Sequence, residues 1–473
     1  MAAGGGRRSR RCARGIASRG LRRGGRYLGI PGAHRARRPR RRLRSLRPAR
    51  RWRFRGRRLW TPPRGRRRSP AQARGAHHRA RVAARCRSRL GVDGRSGRLA
   101  AAGRSRGGRV NDLRRAAELC EFCPKMCRFS CPVSEATFRE ALSPWGKVSL
   151  AALSGDAPGS SASEAFAGCT GCLRCQQYCA HANDVPRVLY AARASSVRAG
   201  TALAAWTRTA ERFRSAGHAE EVDLLAVHRD VSAGETATSS RTMLFAGCDA
   251  LAQGGDLARA ALAVARELGA PLGLAGETAL CCGLKLVEAG HPDDFTAHAT
   301  AVRASLGPGP VNLVFLTPGC ARAVREKWPP LPAGSRVEHI TTYLSRALAT
   351  GGIAAERPPL PISVAWHDPC ELSRGLAEVT APRALLAAAV EEVREPIRTG
   401  VDTSCCGAAG LLPRSLPEVA ASIATLRRAE LTACAAPPVT ASPACSSALG
   451  AEDLVVLLAD WLGLSRTTWR RPS

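Results

Sequence analysis

Two runs of cysteine carry the chemistry that can be read first. Residues 120–132 read CEFCPKMCRFSCP and residues 169–179 read CTGCLRCQQYC. They supply Cys120, Cys123, Cys127 and Cys131, with Pro132 behind the last, and then Cys169, Cys172, Cys175 and Cys179. Closely spaced thiolates wrap one centre, and four converging from different directions hold a cubane [4Fe–4S] cluster. Paired C-x-x-C motifs also make tetrahedral zinc sites, which stand as the alternative. Two runs of four thiols, one closing on Cys-Pro, favour clusters.

The pattern resembles two-cluster ferredoxins, in which the fourth cysteine of each run crosses to the other cluster. Cys120, Cys123, Cys127 and Cys179 are therefore expected on one low-potential cluster. Cys169, Cys172, Cys175 and Cys131 are expected on the second. The chain departs from the pattern twice: three residues separate Cys123 from Cys127, and Ala180 stands where proline usually follows the second run. Neither change removes a thiolate. The 37 residues between Cys131 and Cys169 exceed the spacing of small ferredoxins and predict a helical ferredoxin-like domain.

The second half repeats itself. MLFAGC at 243–248, CCG at 281–283 and TPGC at 317–320 are answered by VAWHDPC at 364–370, CCG at 405–407 and SPAC at 442–445. First cysteine to pair spans 33 and 35 residues, and pair to last cysteine spans 38 and 39. Each repeat opens on a short apolar strand, Met243–Ala246 or Ile362–Trp366, that ends at a cysteine. A helix is expected next, with Leu257, Ala261, Val264 and Leu268 on one face and Gly269-Ala270-Pro271 as its stop. Its counterpart is read on Leu386, Val390 and Val393. A further strand, Val311–Leu316, precedes Cys320. This alternation predicts α/β domains with cysteines at strand ends, where such folds place their sites.

Taken in order, two ferredoxin motifs and two cysteine-paired repeats across residues 111–473 resemble the heterodisulfide reductase-like family. The iron–sulfur subunits of glycolate oxidase and anaerobic glycerol-3-phosphate dehydrogenase share that organisation. The resemblance implies that each repeat can hold an iron–sulfur cluster, one or two further clusters in all, on Cys248, Cys281, Cys282 and Cys320 and on Cys370, Cys405, Cys406 and Cys445. It also implies electron transfer between a flavin dehydrogenase or other redox partner and a quinone or disulfide acceptor. The family's fullest motif ends in C-P-x-C, whereas Thr317 and Ser442 hold the first of those positions here, leaving four cysteines per repeat. Zinc, free redox thiols and purely structural cysteines stay open for the repeats. His367 and Asp368 are read as stabilising a turn rather than moving protons, His181 and His339 as ordinary polar residues, and Cys434 as a small apolar one.

The elements that must position these thiols follow. Residues 1–110 form a basic tract, 111–190 the ferredoxin-like domain, 191–240 a helical linker without chemistry of its own, and 241–350 and 361–473 the two repeats. The fold class is thus multidomain α+β and α/β. The net charge of +36 resides in the tract, where 38 arginines face one acid (Asp93), leaving 35 basic and 36 acidic side chains beyond it. Such a segment buries no core. An arm for nucleic acid or anionic lipid, a targeting peptide and an untranslated upstream stretch with the true start near Val110 are the three readings. The last is preferred, and no nucleic acid is expected as partner; the alternative function is a zinc-stabilised binding protein with a nucleic-acid-contacting arm. Cys12 and Cys86 are incidental to the tract. No apolar run reaches a membrane span of about 18 residues, and Leu454–Leu464 reads as a packed terminal helix. A cytoplasmic location, with membrane association only through a partner, is expected, because clustered thiols without a secretion signal point to a reducing compartment. No GxGxxG or GxxxxGK[ST] motif is present, so hydride chemistry falls to another polypeptide.

Overall fold

The computed structural model describes residues 115–120, 123–233, 241–351 and 357–464. The basic tract, Cys12, Cys86, Val110 and part of the linker lie outside the described residues.

From Arg115 to Ala233 the described residues form helices and no strand. Pro144–Ser154 starts where Ser143 accepts from the Gly146 amide at 3.0 Å, and Pro144 occupies the first turn, where no amide is needed. Val185–Arg198 begins on Asp184, which caps the Arg187 amide. This helix runs straight through the boundary expected at 190/191. Ala204–Ala216 and Leu224–Ala233 follow and lead into the first sheet.

The remainder is α/β. Strands β1 (Thr242–Phe245), β2 (Gly273–Leu274), β3 (Asn312–Phe315) and β4 (Arg336–His339) form one parallel sheet in the order β2-β1-β3-β4. Strands β5 (Leu360–His367), β6 (Val390–Arg394), β7 (Pro438–Thr440) and β8 (Glu452–Asp453) form a second in the order β6-β5-β7-β8. The two orders are the same, so the sequence repeat is a repeat of topology.

Parallel strands need crossover helices, and these supply the layers around each sheet. The expected helix on Leu257, Ala261 and Val264 is Asp256–Glu267, with Ala261 and Val264 fully buried. Its counterpart needs correction. Thr380–Ala389 ends before Val390, and Val390 and Val393 lie on β6. Three apolar positions fit a helical period, but the β-branched residues there pair with β5, and the exposed Glu391 and Glu392 fall between them. The terminal helix Leu454–Trp461, capped by Asp453, packs on both Asp256–Glu267 and Thr380–Ala389. One apolar core thereby runs through both repeats, with Phe245 stacked on Phe315 at 4.9 Å and Trp366 fully buried.

Candidate functional site

In each sheet the chain reverses its winding direction at the central strands, β1 beside β3 and β5 beside β7. Ligands of open α/β sheets bind outside the carboxyl ends of strands at such a switch point. Cys248 follows β1 and Cys320 follows β3, while Cys281 and Cys282 lie in the loop after β2. Cys370, Cys445 and the pair Cys405–Cys406 take the same places after β5, β7 and β6. All eight are buried. In the first repeat, Cys281 Sγ stands 3.5 Å from Cys248 Sγ and Cys282 Sγ stands 3.0 Å from Cys320 Sγ. In the second, the matching approaches are 3.8 Å for Cys370–Cys405 and 3.3 Å for Cys406–Cys445.

Adjacent residues point their side chains apart, so both thiols of a pair reach one centre only where the backbone turns sharply. Gly283 and Gly407 make that turn at φ +81° and +86°. A Cβ at either position would fall 2.8 Å from a neighbour, His298 Cδ2 or the Ala420 carbonyl oxygen. Glycine is required there for both reasons.

The helical part assembles two further groups. Cys120 lies near Cys179 and Cys123, and Cys127 near Cys120 and Cys123, so that burial and mutual repulsion push Cys120 and Cys127 up to about 11. Cys175 lies near Cys172, Cys169 and Cys131 and is driven well above its ordinary value, chiefly by burial. Cys120 thus has Cys179 of the other run as a neighbour, and Cys175 has Cys131. Asn183 ties the first group together: its Nδ2 donates to Cys120 Sγ at 3.0 Å and its amide to Cys179 Sγ at 3.5 Å. The second group carries Lys147, whose Nζ lies 4.0 Å from Cys131 Sγ, and the Gly171 amide, 3.5 Å from Cys169 Sγ.

The second helical group and the second repeat meet. Cys172, Cys370 and Cys405 form one buried sulfur cluster. Cys172 and Cys370 are driven well above the ordinary thiol value, first by hydrogen bonding to Cys405 and then by burial, while Cys405, which accepts from both, is drawn down. Arg374 locks the junction, donating through Nε to the Cys172 carbonyl at 2.6 Å and through Nη1 to Val401 and Thr403.

Two cavities line the cleft between the repeats. One, of about 200 Å³, is walled by Cys248, Cys281, Cys282 and Cys320 with Glu371 and Leu411 opposite. The other, about 560 Å³ and largely apolar, reaches Cys406. Lys285 sits at the first, 3.6 Å from Cys248 Sγ and paired with Asp249 and Glu220. Burial pushes Glu288 and Glu371 up to about 7.

Of the residues beside the cysteines, Asp368 is occupied structurally by Arg383, Thr399 and the Gly400 amide. His367 Nδ1 accepts from Arg427 Nε at 3.0 Å, and Cys406 and Cys445 are its nearest candidate co-ligands. His339 caps the helix Ile340–Thr350. Cys434 is partly exposed, its thiol donates to the Glu430 carbonyl, and it packs against the apolar cluster that includes Cys406 and Cys445. Sequence reasoning missed Lys147, Asn183, Arg193 and Arg374. Lone basic or amide residues carry no spacing signal, and only their burial among thiols marks them.

All 17 cysteines of the described residues are unbridged. Buried thiols with raised pKa values are neutral, and thiolates form there only when a soft cation replaces the protons. Four groups of thiols, two in the helical part and one in each repeat, suit iron–sulfur clusters by the chemistry of their donors. Comparison with known proteins points the same way. A cysteine-rich domain family, CCG, matches residues 364–450. One subunit of the dihydromethanophenazine:CoB–CoM heterodisulfide reductase of Methanosarcina barkeri is 28% identical over 324 residues, 63% of this chain and 78% of that protein. The chain is thus similar to heterodisulfide reductase subunits and carries a CCG-type cysteine-rich domain. One subunit of the fumarate reductase (CoM/CoB) of Methanothermobacter marburgensis is 26% identical over 54% of this chain and 50% of its own length. The EtfAB:quinone oxidoreductase of Syntrophomonas wolfei is 26% identical over 52% of this chain and 37% of its own. These relatives are oxidoreductases or their subunits, and the heterodisulfide reductase-like chain shares that ancestry. The matched residues lie in the second repeat, and the first has the same strand order and thiol placement. No helix among the described residues is long and apolar enough to cross a membrane.

Proposed function

We propose that the chain is an electron-transfer subunit that takes single electrons from a flavin dehydrogenase-type partner and delivers them to a disulfide or quinone acceptor. The observation that carries this reading is the continuous line of thiols. It starts at the partly exposed Cys120 group, passes the Cys131–Cys175 group, crosses at Cys172 to Cys370 and Cys405, and ends at the cleft between the repeats.

Two [4Fe–4S] clusters would be held by Cys120, Cys123, Cys127 and Cys179 and by Cys131, Cys169, Cys172 and Cys175. Further clusters would sit on Cys248, Cys281, Cys282 and Cys320 and on Cys370, Cys405, Cys406 and Cys445. When bound, such clusters supply one-electron redox capacity. The chain's residues do the rest. Apolar helices exclude water, Gly283 and Gly407 turn the thiol pairs inward, and the cleft admits an acceptor. A disulfide acceptor of the kind named for the Methanosarcina barkeri relative, or a quinone as named for the Syntrophomonas wolfei relative, fits a cleft with thiols on one wall and apolar surface on the other.

Anaerobic reconstitution tests this. A brown protein with iron and sulfide in matching amounts supports the reading, and stoichiometric zinc without sulfide overturns it. Cys281→Ala with Cys282→Ala should remove iron from the first repeat and Cys405→Ala with Cys406→Ala from the second, each stopping acceptor reduction. Cys434→Ala, the internal control, should change neither iron content nor turnover.

A further inference from the structure

The two thiol groups of the helical part differ in what surrounds them. Three buried cations act on the sulfurs of the inner group, while a fourth, Arg174, directs its Nη1 to Ser404 Oγ. Lys147 is 1% exposed and Arg193 fully buried, and both act on Cys169, while Lys147 also acts on Cys175. Arg374, 8% exposed, acts on Cys172 and across the junction on Cys370. None of the three forms an ion pair among the described residues. Lys147 donates to the Gly168 carbonyl and approaches Cys131 Sγ; Arg193 donates only to backbone carbonyls; Arg374 does the same and keeps a buried Nη2 with no partner. Glu288 offers Arg193 its carbonyl, and burial holds its carboxyl up at about 7.

A buried cation is costly unless an anion is buried with it. Lys147 bears on Cys131, Cys169 and Cys175, Arg193 on Cys169 and Arg374 on Cys172, and none forms an ion pair, which favours a negatively charged group among those sulfurs. The outer group has no such surroundings. Its cysteines are partly exposed, and the polar contacts to its sulfurs include the neutral amides of Asn183.

Resting on the function proposed above, we infer that Lys147, Arg193 and Arg374 are a cationic cage that makes the inner group, Cys131, Cys169, Cys172 and Cys175, more easily reduced than the outer one, fixing electron flow inward and on to the second repeat through the Cys172–Cys405 contact. Each electron added to a thiolate-ligated cluster makes it more negative. Net charge, hydrogen bonds to sulfur and solvent exposure set its potential. Burial alone would lower the inner potential, but full charges a few ångströms away in a low dielectric outweigh it, and neutral amide donors on the outer group supply less. The step is one electron leaving the reduced outer group, which is oxidised, and entering the inner group, which is reduced. No bond forms and no proton moves. The flavin-type partner supplies that electron. The three cations are positioning residues.

The test is a mediator-linked redox titration of the anaerobically reconstituted full chain, followed by electron paramagnetic resonance, after iron and sulfide have been measured. Lys147→Met should shift the higher-potential step of the helical part downward by at least tenfold in equilibrium constant, about 59 mV for one electron. Lys147→Arg should restore it. Asn183→Leu, which strips the outer group of its side-chain donor, should move the lower-potential step instead. Arg374→Met reads the inner step independently should Lys147→Met fail to assemble. With iron and sulfide intact, the inference is overturned if Lys147→Met and Arg374→Met leave the higher step in place, or if they move the step that Asn183→Leu moves. Absence of iron and sulfide from the wild-type protein would instead remove the function proposed above, and the inference with it.

Discussion

Replacing Arg193 should break the protein at one point where three parts of the chain are tied. Its guanidinium is fully buried and donates to the carbonyls of Phe166, Ala167 and Cys169 in the helical part, of Glu288 in the first repeat, and of Gly410 in the second. The distances run from 2.7 Å to Glu288 to 3.3 Å to Ala167. A hydrogen bond from a charged donor contributes about 1.5 kcal/mol at the lower end, so five acceptors amount to about 7 kcal/mol gross. Removing the cation recovers its burial cost, several kcal/mol; taking about 3 leaves a net loss of about 4 kcal/mol for Arg193→Met. Domains are stable by about 5–15 kcal/mol, so this is a large share. Arg193→Lys keeps the charge but has at most three donors and no planar fork, and should lose about 2 kcal/mol. The assay is urea unfolding of anaerobically reconstituted protein, followed in parallel by circular dichroism and by visible absorbance. The wild type should show coincident transitions, and Arg193→Met should lower the midpoint and separate the two signals. A loss below about 1 kcal/mol with coincident transitions would refute the argument, because it would mean that water or neighbouring amides satisfy these carbonyls as well as the guanidinium does.

Gly407→Ala places a Cβ 2.8 Å from the Ala420 carbonyl at φ +86°, so it should cost about 1–3 kcal/mol in urea unfolding and reduce iron in the second repeat. Asp453→Asn keeps the cap on the Val455 amide, bonded at 3.0 Å, while removing a carboxyl that burial pushes up to about 7 from 3.8. Between those values the unfolded chain releases a proton that the folded chain retains, so the carboxyl makes wild-type stability fall as pH rises from about 4 to about 7. The variant should lack that fall, gaining up to about 4 kcal/mol over the wild type at pH 8 and little at pH 4, as read by urea midpoints at the two values.

Much of the site was legible without coordinates because covalent spacing constrains it. The thiols of each run must lie within a few residues' reach of one another, whatever the fold. Cys120 neighbours Cys179 and Cys175 neighbours Cys131, and the strand order repeats where the cysteine spacing repeats. The glycines after the pairs were readable for the same local reason: a sharp turn needs a residue free of Cβ. Strand β6 departs from the expected helix because a short apolar stretch satisfies two periods at once, and only pairing with β5 decides between them.

What the sequence alone determined, then, is the inventory: sixteen thiols in grouped spacings, a repeated α/β unit and a basic tract set apart from a neutral body. Only the tertiary structure decided how those groups meet. Cys172 and Cys405 are 233 residues apart, and no periodicity brings them together; their contact follows from packing the helical part on the second repeat. The same holds for Lys147, Arg193 and Arg374. A basic side chain in a sequence reads as solvated surface by default, since burying its charge is costly. That these three are buried, and buried against sulfur, is a long-range electrostatic fact that exists only once the chain has folded.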